Sequence, residues 1–349
     1  MNKIKILFVD DEVNILQALK RMLHPHRQQW EMTFSSSGEE ALTLLREQPY
    51  DVLVTDIRMP QVDGSRVLFE SFLYQPETMR CILSGYAERD QTIKVAGTAH
   101  QFLSKPCTKD AIESMVLRAE QSQSRLPMGD VRRAVSRISA VPCRPGVLKE
   151  LSSELQKEQP NLELVVDLIA SDIGMSAKII QLVASSFFGR CAAVFCPREA
   201  VTLLGVELIA GLLTEMGIFT PFLAEKEILD IDELCETSIM TARAARAAAE
   251  RQGASTRIAN VAYLSNYLQS VGKIVLVHQF PELYRRVLQL MRTEGLADSA
   301  AEQRIIGTTS SAVGGYLLSL WGFPQDVVNE VGGHEGDCIS DPNRSHALV

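Results

Sequence analysis

Five residues in the first third of this 349-residue chain could do chemistry together: Asp10, Asp11, Asp56, Ser84 and Lys105. Each closes a short apolar run: "ILFV" precedes Asp10-Asp11, "VLVT" precedes Asp56, "CIL" precedes Ser84, and "FLS" precedes Lys105. A carboxylate taken out of water without compensation is costly or shifts its pKa, so three acids at the ends of buried elements require a partner. Converging carboxylates bind hard divalent cations, and Mg²⁺ suits one or two carboxylates supplemented by waters and phosphate oxygens. Taken singly, an Asp after a strand is a helix cap or turn former, and Ser84-Gly85 is a turn. The recurrence at the ends of successive units turns these residues into a site.

The elements that must position them follow from periodicity. From residue 1 to about 120, apolar runs alternate with helical patterns: "KIKILFV" with "EVNILQALKRML", "WEMTFSS" with "GEEALTLLREQ", and "YDVLVTD" with "GSRVLFESFLY". "TMRCILS" with "RDQTIKVAGTA" and "HQFLSKP" with "TKDAIESMVLRAEQ" complete five strand-helix units. Such a series predicts a parallel sheet covered by helices on both faces, with its ligand site at the carboxyl ends of the strands. All five candidate residues fall on that edge.

A polar stretch, "QSQSRLPMGD" (121–130), then leads into a second half with hardly any strand pattern. Segments such as "NLELVVDLIASD", "SAKIIQLVASSFFG", "GVELIAGLLTEMGIF", "MTARAARAAAERQ", "IANVAYLSNYLQSVGKIVLVHQF" and "AVGGYLLSLWGF" repeat apolar residues at three- and four-residue steps. They predict an all-α domain. The expected boundaries are 1–120, a linker at 121–130, a helical domain at 131–340 and a tail at 341–349.

Composition narrows the classes. With 46% hydrophobic and 22% charged residues, the chain is a globular protein rather than a disordered one. A net charge of −8 argues against an extended polyanion-binding surface. Seven scattered cysteines with no C-x-x-C pair fit neither a disulfide framework nor a zinc site, and point to a reducing cytoplasm. Acids interrupt the first apolar run before a signal-peptide core could form, and no stretch of about 18 apolar residues predicts a membrane span.

In "FVDDE", "LVTDIRMPQVDG", "ILSGY" and "FLSKP", taken in this order, the first 120 residues resemble the receiver domain of two-component response regulators. The resemblance implies a flavodoxin-like (βα)5 fold. It implies Asp56 as phosphoacceptor, with Asp10, Asp11 and Asp56 holding Mg²⁺ together with the backbone carbonyl of Arg58. Ser84 would be the switch hydroxyl, Lys105 the phosphate partner and Phe102 the switch aromatic, where Phe replaces the commoner Tyr. A phosphoryl group on Asp56 would draw Ser84 and Lys105 toward it and shift the surface of the fourth helix, fifth strand and fifth helix.

The second half resembles the HDOD domain, a helical relative of the HD-type phosphohydrolases, in residues 168–189, 200–213, 267–276 and 300–336. Where those hydrolases carry adjacent His-Asp before Gly-Lys, this chain has Gln269-Ser270 before Gly272-Lys273, and Ser310 occupies another histidine position. His278, His334 and His346 are its only histidines, too few and too scattered for the hydrolase's metal set. Asp172-Ile173 and Ser185-Ser186 also replace the family's "DP" and asparagine-serine pairs.

The expectation is a cytoplasmic response regulator, phosphorylated by a sensor histidine kinase or phosphotransfer protein. It would signal by protein–protein contact through an HDOD domain that is not an enzyme, with a homodimer admitted. The alternatives are a metal-dependent phosphohydrolase acting on a cyclic dinucleotide or nucleotide, and a DNA-binding regulator using Arg243, Arg246, Arg251 and "DVRRAVSR". Regular Arg spacing on an Ala-rich helix reads first as a solvated face, so nucleic acid is disfavoured as a partner.

Overall fold

The computed structural model describes residues 3–85, 97–184 and 194–333. Strands β1 (Ile4–Val9), β2 (Trp30–Ser35), β3 (Val52–Asp56), β4 (Met79–Ser84) and β5 (Gln101–Ser104) form one parallel sheet in the order β2-β1-β3-β4-β5. β1, β3 and β4 are buried on both faces, which is why they read as continuous apolar runs rather than alternating ones. Helices α1 (Val13–Leu23), α2 (Gly38–Glu47), α3 (Gly64–Tyr74) and α4 (Lys109–Arg125) accompany the sheet. Side chains set three of the starts: Ser37 accepts from Glu39 N–H, Asp63 from Arg66 N–H and Thr108 from Ala111 N–H. The fourth helix expected over "RDQTIKVAGTA" lies largely outside the described residues.

The remainder is helical, as its periodicity requires. It comprises α5 (Asp130–Val135), α6 (Pro145–Leu155), α7 (Leu162–Ala170), α8 (Ile173–Ala184), α9 (Pro197–Leu204), α10 (Val206–Met216), α11 (Ile231–Arg251) and α12 (Thr256–Leu268). These are followed by α13 (Val271–Gln279), α14 (Pro281–Glu294), α15 (Asp298–Ile306), α16 (Ser310–Leu320) and α17 (Gln325–Gly332). The run 258–280, read as one pattern, is two helices. Ser270, with φ −89° and ψ 0°, breaks the ladder between α12 and α13.

In the stretch 121–130, expected as a linker, the first five residues are helical. α4 continues to Arg125 because it has packing to gain: Ser122 and Leu126 are buried, and Gln123 donates to Asp51 Oδ1 at 2.7 Å. A short break, residues 126–129, separates α4 from α5. The two halves share one contiguous apolar core running from Ile4 to Val331, and α16 lies along α4.

Polar hooks pin this junction. Gln101, at the N-terminal end of β5, donates to Leu320 O at 3.0 Å while its own Oε1 accepts from Arg118 at 3.0 Å. Gly322 abuts that glutamine at φ +76°, where a Cβ would lie 3.1 Å from its amide carbon. Arg125 donates to Asn329 at 2.6 Å, and Arg132 pairs with Glu77 at 3.1 Å.

Candidate functional site

β1, β3, β4 and β5 run parallel, so their last residues collect on one edge. Asp10 follows β1 directly, Asp56 ends β3, Ser84 ends β4, and Lys105 follows β5. One oxygen each from Asp10, Asp11 and Asp56 falls within 4.8 Å of the others. Asp10 and Asp56 are buried, at 1% and 4% exposure, whereas Asp11 is partly open. Lys105 Nζ reaches both buried acids, 2.8 Å from Asp10 Oδ2 and 2.9 Å from Asp56 Oδ1. Burial opposes the lysine's charge, but hydrogen bonds to Asp10 and Asp56 outweigh it and hold the ammonium above its ordinary pKa.

Three carboxylates against one ammonium leave an excess of negative charge in a partly desolvated pocket. The donors are hard oxygens, and Asp11 opens the cluster to solvent. This set fits a small divalent cation that keeps part of its water shell. Asp10, Asp11 and Asp56 are the residues that could hold it.

The loop after Asp56 is folded tightly over the site. Val62 N–H donates to Pro60 O at 2.7 Å, Gln61 takes a left-handed φ of 65°, and Gly64 N–H returns to Ile57 O at 2.9 Å. Gly64 is needed for that approach, because a Cβ there would come within 1.8 Å of the Asp56 carbonyl oxygen. Gly64→Ala is therefore expected to displace the Asp56 backbone and destabilise the first half by about 2–3 kcal/mol, as overpacking against an unyielding backbone does. Urea denaturation measures it, and a change under ~0.5 kcal/mol would contradict the close approach.

Ser84 is fully buried beside Gly85, and Phe102 is buried at 4% exposure, paired in register with Ile82. Arg58 lies in the loop with its side chain exposed. The structure thus gathers Asp10, Asp11, Asp56 and Lys105 into one contact set and places Ser84 on the same edge. Phe102 lies in the adjoining strand layer.

Among the described residues, those singled out in the second half are not gathered in this way. Gln269 is exposed, while Ser270 Oγ lies 3.3 Å from Ser238 Oγ of α11. Ser310 N–H is taken by the buried carboxylate of Glu302, whose other oxygen accepts from Tyr284. Asp172 is fully buried and accepts from the N–H groups of Arg144 at 2.7 Å and Met175 at 2.9 Å. Burial pushes its pKa up against those bonds, and it is occupied in capping α8. His278 is partly buried near Phe222, and burial lowers its pKa. Ser185-Ser186, His334, His346 and the tail lie outside the described residues.

The arginines are largely occupied. Arg246 pairs with Glu250 at 3.0 Å and Arg251 donates to Ala247 O, while Arg243 is exposed. Of "DVRRAVSR", Arg132 is buried on Glu77. Sequence reasoning missed the buried basic residues Arg80, His100 and Lys178 at the junction. The available signal was the charged Arg80 within the apolar run "TMRCILS".

Comparison with known proteins divides the chain at the same junction. The model of the response regulator receiver domain matches residues 6–117, and that of the HDOD domain matches residues 141–336, more than half of the chain. The hydrogenase transcriptional regulatory protein HoxA of Cupriavidus necator is 33% identical over 130 residues, 37% of this chain and 26% of its own. The transcriptional regulatory protein ZraR of Escherichia coli is 26% identical over 269 residues, 72% of this chain and 58% of its own. The chain thus spans about a quarter of HoxA and somewhat over half of ZraR. Among solved structures, the receiver domain of an HD domain-containing protein from Pseudomonas fluorescens is 26% identical, covering 36% of this chain and all of that one, at a TM-score of 0.34. The MmoQ response regulator of Methylococcus capsulatus is 22% identical, covering 55% of this chain and 75% of that one, at a TM-score of 0.46. Among the described residues no helix is long and apolar enough to cross a membrane.

Proposed function

Because the chain belongs to the HDOD domain family and carries a response regulator receiver domain in front of it, we propose that phosphorylation of Asp56 sets its output. The phosphoryl donor would be a sensor histidine kinase or a phosphotransfer protein in the cytoplasm. The observation that carries the reading is the buried pair Asp10 and Asp56, bridged by Lys105 at the sheet's carboxyl edge.

A carboxylate oxygen of Asp56 attacks phosphorus in line as the bond to the donor breaks, giving an acyl phosphate. Lys105 Nζ, already in reach of Asp56, neutralises charge on the transferred group. Mg²⁺, held by Asp10, Asp11, Asp56 and the Arg58 carbonyl, would supply further charge neutralisation on the phosphoryl oxygens. Ser84 offers its hydroxyl to the phosphoryl group from the adjacent strand end. Its movement makes room for Phe102, and the shift passes along β5 to Gln101, which is bonded to Leu320 O. That hydrogen bond and the α4–α16 packing support the HDOD domain as the receiver of the signal.

The HDOD domain then acts on a downstream protein by contact rather than by hydrolysis. The paired hydroxyls of Ser238 and Ser270, and the engagement of Glu302 and Asp172 by backbone N–H groups, support that reading. Incubation with a small phosphodonor and Mg²⁺ should label the protein stoichiometrically, and Asp56→Ala should abolish the label. A label that persists in the variant would overturn the assignment.

A further inference from the structure

His100, immediately before β5, is 2% exposed, covered from the HDOD side by Ser136 and Gln181. Its Nδ1 accepts from the Arg80 backbone N–H at 3.1 Å, so the single proton of a neutral ring resides on Nε2. Nε2 in turn lies 3.1 Å from Ser136 O, beyond the break between the domains. Gln181 of α8 donates to His100 O at 3.1 Å, and its Oε1 accepts from Lys178 at 2.9 Å.

The surroundings are cationic. The Arg80 guanidinium lies 2.8 Å from Nε2, donor facing donor once the ring's proton is there, and its hydrogen bonds go to the carbonyl oxygens of Pro76, Thr78, Thr98 and Ser136. Lys178 faces the ring from α8, its pKa lowered by burial to about 7, while Arg137 after α5 and Tyr316 of α16 face Arg80, the tyrosine hydroxyl on Ser136 Oγ. Arg118 of α4 is on Gln101 and Arg132 of α5 over the Tyr316 ring. Glu77 is paired with Arg132 at 3.1 Å. No carboxylate bonds either ring nitrogen among the described residues. A second proton, on Nδ1, would point at an N–H donor and set an imidazolium against a guanidinium.

We propose that His100 is an acid-released latch: the docked pair of domains accepts only its neutral imidazole, and protonation drives receiver and HDOD domains apart at this face. The sign follows from linkage. Burial, and then the Arg80 charge, hold the docked imidazole well below its ordinary pKa, whereas a separated, solvated ring titrates near 6.5. The docking contribution is complete above about pH 6.5 and is lost as the pH falls below it toward the docked pKa. Between pH 7.5 and 5.5 the ratio of separated to docked protein rises about tenfold. The device needs no phosphoryl group and stands apart from the chemistry at Asp56.

The test is hydrogen exchange of the full-length protein, with each rate divided by the intrinsic rate at that pH. Protection of segments 130–137 and 316–323 should fall about tenfold or more from pH 7.5 to 5.5, and that of α14 should not. His100→Gln should remove most of that fall, leaving the smaller part due to Lys178, whose buried ammonium is lowered to about 7. Equal falls in the parent and the variant, or none in the parent, would overturn the proposal. Should the variant fail to dock, an imidazole NMR titration of the parent decides. A docked His100 protonating near pH 6.5 overturns the latch, and a ring that stays neutral until the domains separate supports it.

Discussion

Gly272→Ala should cost the HDOD domain about 3 kcal/mol or more, the larger end of what overpacking does to a well-filled core. A Cβ on Gly272 would lie 1.8 Å from Ser310 O and 2.6 Å from Gly314 N, both backbone atoms of a facing helix. No rotamer change relieves such an overlap, so α13 would have to move off α16. That helix is itself held from behind, since Gly315 sits against Gly332 of α17 and α16 lies on α4. Chemical denaturation of the full chain measures the loss, and Gly146→Ala is the control. Gly146 lies in α6 with nothing within 4 Å of its would-be Cβ, so this change should be neutral or stabilise by up to about 1 kcal/mol. A Gly272→Ala loss no larger than 1 kcal/mol would contradict the helix contact described.

The second large effect concerns Lys105→Ala. Removing the ammonium takes away the one cation within 3 Å of both Asp10 and Asp56 among the described residues. The labelling rate with a small phosphodonor is expected to fall about 10²–10³-fold, the scale on which losing one preorganised charge-stabilising group acts. Binding of Mg²⁺, followed by quenching or calorimetry, should survive, since the carboxylates are retained and a competing positive charge is gone. Undiminished labelling would remove Lys105 from the reaction. Lost Mg²⁺ binding would instead indicate that the lysine organises the carboxylates.

The receiver half was legible because its chemistry is tied to element ends. Once five apolar runs are taken as parallel strands, the side chains of Asp10, Asp56, Ser84 and Lys105 can only meet on one edge, and three of them fall into direct contact. The tightness around Asp56 was less visible. Gly64 reads as a turn residue, and only the folded loop brings the Asp56 carbonyl to where its Cβ would be. In the helical half, periodicity predicted helices but not their partners. The break at Gln269-Ser270 and the contact of Gly272 with Ser310 depend on segments some forty residues apart. The junction was hidden for the same reason. The sequence 121–130 is polar and looks like spacer, yet half of it is helix, because its buried face meets residues as distant as α16.

That junction also settles a question of access. The helical half grips the sheet where β4 and β5 begin, at Arg80, His100 and Gln101, while Asp10, Asp56 and Lys105 lie where the strands finish. A parallel sheet sends these two sets to opposite rims. Among the described residues, the contacts that hold the helical half therefore spare Asp10, Asp56 and Lys105, and the phosphorylation proposed at Asp56 would not have to compete with them for space.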